Sequence, residues 1–87
     1  MLWRVRVTTS AQRALNRLKP TSVEVDQVVA LLTALKADPF PAKRVPFIFE
    51  QDLFYSDMGR FRAVFQIRPS TKDPPGSLVV VGFTGIS

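Results

Sequence analysis

The 87-residue sequence contains no cysteine and no histidine. Without cysteine no disulfide can staple the fold. Without either side chain the usual donor sets for zinc are missing, and so are the Ser-His-Asp and Cys-His sets of nucleophilic catalysis. There is no P-loop and no GxGxxG turn for a nucleotide phosphate. No apolar run approaches the roughly 20 residues that span a bilayer. Met1-Leu2-Trp3-Arg4 opens a strand-like run, not the charged-then-apolar profile of a signal peptide. These absences point to a soluble protein of a reducing, cytoplasmic compartment with no membrane partner. Acidic residues are also few, seven Asp and Glu against twelve Lys and Arg. They are scattered, with no pair marked for acid/base work. Glu50, Asp52 and Asp57 lie near one another in sequence but flank short strands, so no metal site and no cofactor is expected.

What is present is basic. The net charge is +5, and eight of the twelve basic residues are arginine. Arginine makes bidentate contacts to phosphate and carboxylate, which favours a nucleic-acid, ribosomal or acidic protein partner. The length predicts one domain over residues 1–87. A domain of this size buries only about 60% of its unfolded surface, so a protein partner covering apolar surface would help it.

Along the chain, residues 2–8 alternate, with Trp3, Val5 and Val7 on one side and Arg4, Arg6 and Thr8 on the other. This period of two predicts a strand with one buried face. Thr9-Ser10 reads as a helix start. Ala11, Ala14, Leu15 and Leu18 form one apolar stripe, and Pro20 stops the helix. Thr21-Ser22-Val23-Glu24 has the capping-box spacing and opens a second helix whose stripe is Val25, Val28, Val29, Leu32 and Leu35. That helix should end near Ala37, because Asp38 precedes Pro39. Asp38-Pro39-Phe40-Pro41 is a stiff connector and Lys43-Arg44 follows. The run 45–49 contains Pro46 and predicts an edge strand.

Leu53-Phe54-Tyr55 predicts a further strand and Ser56-Asp57-Met58-Gly59 a turn. Residues 60–68 form the clearest strand. Phe61, Ala63, Phe65 and Ile67 share one face, and Arg60, Arg62, Val64, Gln66 and Arg68 the other. After a proline-rich polar loop over 69–77, residues 78–83 are apolar on both faces, as in a central strand. The fold class is α+β, in the order β-α-α-β-β-β with a further strand if the 45–55 region is regular. Two helices pack on one face of a mostly antiparallel sheet. The other face would carry Arg4, Arg6, Arg60, Arg62 and Arg68 around an apolar centre. Such arginines can hold phosphates and stabilise the charge that builds on phosphorus during RNA cleavage, without a metal. An ordinary solvated sheet face has the same pattern.

Several segments resemble the RelE/ParE superfamily of toxins. Thr9-Ser10-Ala11 with Leu15 and Leu18 is similar to the first helix of that family. Leu35-Lys36-Ala37-Asp38-Pro39-Phe40-Pro41 resembles the end of its second helix, and the run from Gly59-Arg60-Phe61 to Gln66-Ile67 its most recognisable strand. Residues 78–82 are similar to its last strand. The resemblance implies a toxin of a type II toxin–antitoxin module, neutralised by a cognate antitoxin. RelE-like members are ribosome-dependent messenger RNA endonucleases, or mRNA interferases; ParE-like members poison DNA gyrase.

By this resemblance Arg62 stands where the family places a strand arginine at the site of cleavage, with Arg60 as the second catalytic candidate. Arg4, Arg6, Lys43, Arg44 and Arg68 are the candidates for holding RNA or the ribosome. Where active members have lysines on the preceding strand, this sequence has Leu53 and Tyr55. After the last strand it runs Thr84-Gly85-Ile86-Ser87, without the histidine or basic residue and tyrosine of many relatives. The leading expectation is a translation-inhibiting, metal-independent endoribonuclease with an atypical site. The alternatives are a gyrase-binding toxin and an inactive binding module of the same fold.

Overall fold

The alternating residues at the start form strand β1 (Arg4–Val7), with Trp3 buried beside it and Arg4 and Arg6 exposed. The computed structural model describes residues 2–40, 43–44 and 53–86. Helix α1 (Thr9–Arg17) starts at the predicted Thr9. Its cap is Thr8, whose backbone is extended and whose hydroxyl accepts the Ala11 N–H at 3.1 Å. Leu18 ends the helix, and Lys19 turns the chain with φ 50° ahead of Pro20. Helix α2 (Ser22–Ala37) opens with the expected capping box. The Thr21 N–H donates to Glu24 Oε1 at 2.9 Å, and the Glu24 N–H to the Thr21 hydroxyl at 3.2 Å. It ends at Ala37, where Asp38 turns to extended backbone before Pro39. The Trp3 N–H donates to the Lys36 carbonyl at 2.8 Å and so ties this end to β1.

Strands β2 (Lys43–Arg44), β3 (Leu53–Met58), β4 (Phe61–Pro69) and β5 (Gly76–Gly85) complete the order. Strand β2 stands at Lys43–Arg44, which the sequence reading placed just after the stiff connector, while the predicted edge strand over 45–49 lies outside the described residues. The sheet runs β1-β5-β4-β3-β2, with β1 parallel to β5 and every other pair antiparallel.

The β3–β4 turn corrects the sequence reading. Ser56, Asp57 and Met58 stay in the ladder, and only Gly59 and Arg60 turn. Gly59 takes φ 54°, which glycine adopts at little steric cost. Putting the glycine first in a two-residue turn matches the twist of the flanking strands.

Phe61, Ala63, Phe65 and Ile67 are all buried under the helices. On β5 the phase changes: Val64 pairs with Gly82 but Phe65 with Val80, leaving Val81 as the extra residue of a bulge. Leu78 and Val80 before it and Phe83 after it therefore all reach the core. The helices contribute Ala11, Val28 and Leu35.

The stripe predicted for α2 is only partly buried. Val25 and Val29 are 42% and 57% exposed. They border a cleft of about 280 Å³ between the helices, with Val7, Leu15 and Phe83 among its walls. Among the described residues no helix is long and apolar enough to cross a membrane.

Candidate nucleic-acid interface

The face of the sheet away from the helices is built by the same alternation that builds the core. Paired residues project to one side, so β-register assigns this open face. Arg4, Ser77 and Arg68 form one row; Arg6, Val79, Gln66 and Leu53 a second. Gly82, Val64 and Tyr55 form a third, and Thr84, Arg62 and Asp57 a fourth. Strand spacing sets Arg4 and Arg68 about 10 Å apart across β5, and strand rise sets Arg62 about 20 Å from Arg68 along β4. Lys43 lies in register with Tyr55 and Arg44 with Phe54, at the β2 edge.

Arg62 is the most structured of these arginines. Its Nε donates to Asp57 Oδ1 at 2.7 Å and its Nη2 to Asp57 Oδ2 at 3.1 Å. Its guanidinium carbon stands 4.2 Å from the centroid of the Tyr55 ring, a cation–π contact. The hydrogen bond to Asp57, then that carboxylate's charge, holds the Arg62 pKa above its ordinary value. The side chain is 36% exposed, so the guanidinium is both anchored and reachable. Arg68 donates from Nε to the Gln66 side-chain oxygen at 3.1 Å. Arg4 pairs loosely with Asp73 at 3.9 Å, both side chains being largely exposed. Arg6 is exposed and makes no hydrogen bond or ion pair among the described residues.

Arg60 does not share this face, contrary to the strict alternation read from the sequence. It sits in the turn, outside the ladder, and reaches back to the helical hairpin. Its Nε donates to Glu24 Oε2 at 2.6 Å and its Nη2 to Glu24 Oε1 at 3.0 Å. Nη2 also donates to the carbonyls of Leu18 and Lys19, at 3.1 and 3.3 Å. Carbonyls at a helix C-terminus lack intrahelical partners and carry partial negative charge, so a guanidinium there is favourable. The Arg60 hydrogen bond, followed by the Thr21 backbone bond, lowers the Glu24 pKa from 4.5 to about 2. Arg60 thus joins the β3–β4 turn to both helices, and Arg62 is separated from it chemically as well as spatially.

Two features escape a reading by alternation alone. Asp57 as the Arg62 partner follows only once the turn is set at Gly59–Arg60, because 57 and 62 are then equidistant from it. The reach of Arg60 to Glu24 crosses 36 residues of sequence and leaves no local pattern. Among the described residues no group of three or more potential metal-ligating side chains converges. Glu50 and Asp52 lie outside those residues. The arrangement on the open face can bind an anion: half-exposed or exposed arginines, with Gly82 leaving open space in the middle of β5. It can also donate hydrogen bonds to the oxygens of a phosphoryl group as negative charge builds on them.

The fold is similar to that of a chain in the crystal structure of the toxin–antitoxin complex RelBE2 from Mycobacterium tuberculosis. The TM-score is 0.75 at 22% sequence identity, over 98% of this chain and 99% of that one. The chain therefore has the RelE-like fold expected from its motifs. No family model and no curated protein matches the sequence.

Proposed function

We propose that the protein is the toxin of a type II toxin–antitoxin module, acting in the cytoplasm and inhibiting translation through ribosome-associated cleavage of messenger RNA. The match in fold over the whole chain to a component of a toxin–antitoxin complex is the observation that carries the toxin reading. A cognate antitoxin is the natural partner for the apolar side chains left exposed on the helical side. The open face supports the RNA reading. Arg62 is anchored there at one end, with Arg68, Arg4 and Arg6 toward the other. These side chains meet a phosphate backbone through sequence-independent contacts. In this reading Arg62 stabilises the charge developing on the scissile phosphate, and Arg4, Arg6 and Arg68 hold the strand. Lys43, in register with Tyr55, falls in an open-face row and extends it to β2, whereas Arg44, in register with Phe54, falls in a row of the opposite face. Arg60, held by Glu24, supports the fold.

A second reading, a gyrase-binding toxin of the same fold, is favoured by one feature. Leu53 and Tyr55 occupy open-face positions on β3 where RelE-like sites have lysines. Controlled expression in a bacterium, with methionine incorporation followed over the first minutes, separates the two. A rapid fall in incorporation that Arg62→Ala abolishes is the expected result. Growth arrest with incorporation intact, together with loss of supercoiling by purified gyrase, would replace RNA cleavage by gyrase binding.

A further inference from the structure

Arg62 is restrained from two directions. A guanidinium carries five N–H donors in a rigid planar fork. Asp57 takes one from Nε and one from Nη2, along the side edge of the group. The Tyr55 ring covers one of its faces. The second Nη2 proton and both Nη1 protons remain, and Nη1 has no hydrogen-bond partner among the described residues. The Nη2 proton and one of the Nη1 protons make the end-on edge, whose two parallel N–H groups match two oxygens of a phosphate.

We propose that Asp57 is a positioning residue for Arg62: it occupies the side edge of the guanidinium and, with Tyr55 against the face, aims the end-on fork at a phosphate of a single-stranded RNA on the open face. The inference rests on the reading of Arg62 as the RNA contact. Its physical basis is pre-organisation. An arginine whose rotamers are already restricted gives up less freedom when it binds. Cross-strand geometry makes the restraint possible, because Asp57 and Arg62 are direct partners in the β3–β4 ladder.

The sign of the effect separates this role from simpler ones. Removing Asp57 raises the net positive charge, which on electrostatic grounds strengthens binding to RNA. If Asp57 only competed with phosphate for Arg62, its removal would strengthen binding too. Positioning predicts the opposite. Binding of a short fluorescein-labelled single-stranded RNA by the full chain is measured by anisotropy near physiological ionic strength. The parent is compared with Asp57→Ala, Asp57→Asn, Arg62→Ala and the double variant Asp57→Ala/Arg62→Ala.

Both Asp57 variants should bind about three- to tenfold more weakly, the range set by re-ordering one long side chain. The double variant should bind no more weakly than Arg62→Ala alone. Unchanged or tighter binding by the Asp57 variants, with Arg62→Ala still weakened, overturns the inference and leaves the RNA reading of Arg62 standing. So does a loss that persists in the Arg62→Ala background. Unchanged binding by Arg62→Ala overturns that reading itself, and the inference with it. A measurement on the nitrogen-labelled parent needs no variant to fold. The Arg62 Nε–H resonance should keep its hydrogen-bonded position when RNA is added, while the Nη signals shift. Movement of the Nε–H to the free-arginine position would mean that RNA displaces Asp57, and would overturn the inference.

Discussion

Replacing Gly76 by alanine should be among the most damaging single-methyl changes available to this protein. Gly76 begins β5 with φ 134°, where an L side chain is strained whatever the space. An added Cβ would stand 2.2 Å from the Arg68 carbonyl oxygen, 2.8 Å from Pro69 Cα and 2.9 Å from Ser70 N. All three are backbone atoms, so no rotamer change relieves the overlap. The Pro69–Gly76 end of the β4–β5 ladder must open instead. A disallowed backbone conformation costs about 1–3 kcal/mol. With the lost end of the ladder the total reaches about 3 kcal/mol, a large part of the roughly 5–15 kcal/mol that holds a domain together. For a chain of this length that lowers Tm by about 12–24 °C.

Gly82→Ala is the matched control. It lies on the same strand, and its added Cβ would meet nothing within 4 Å. Restricting the unfolded chain there should stabilise by about 0.4–1 kcal/mol. Thermal melts followed by circular dichroism read both variants against the parent. A Gly76→Ala protein melting within a few degrees of the parent would refute the account of β5, and so would a Gly82→Ala protein destabilised as strongly as Gly76→Ala.

Three further outcomes follow from named contacts. Glu24 has a folded pKa of about 2 against an ordinary 4.5, so its contribution is complete above 4.5 and fades as pH falls toward about 2. The Tm gap between the parent and Glu24→Gln should therefore be present above pH 4.5 and nearly closed at about pH 2; a gap independent of pH would contradict the ion pair with Arg60. Arg60→Ala should lower Tm and raise amide exchange around Leu18 and Lys19, whose carbonyls it binds, whereas Arg62→Ala should act chiefly on RNA binding; exchanged effects in hydrogen exchange and anisotropy would reverse the two assignments. Phe65→Ala removes a fully buried ring that stacks on Phe54 at 6.5 Å and should cost about 3–5 kcal/mol in urea denaturation; a loss below about 1 kcal/mol would mean that the β4 core face is misassigned.

Local chemistry alone determined most of the elements. The Thr21–Glu24 capping box, Asp38 before Pro39 and the period-two run through Phe61, Ala63, Phe65 and Ile67 each specify a conformation within a few residues. All are found in the structure. The two-layer α+β order and the arginine-bearing open face were legible on the same basis, because alternation assigns a face without knowledge of the partner strand; the RelE-like fold was expected from the resemblance of several segments to that family. Tertiary structure decided what depends on register and reach. It set the turn at Gly59–Arg60, which made Asp57 the partner of Arg62. It inserted the bulge at Val81, which returned Phe83 to the core. It drew Arg60 off the sheet toward Glu24 and the end of α1, because unpaired helix carbonyls and a carboxylate attract a guanidinium that the turn leaves free to swing. A period of two tells which side a strand residue faces; it does not say where the strand stops, and Arg60 lies one residue beyond that point.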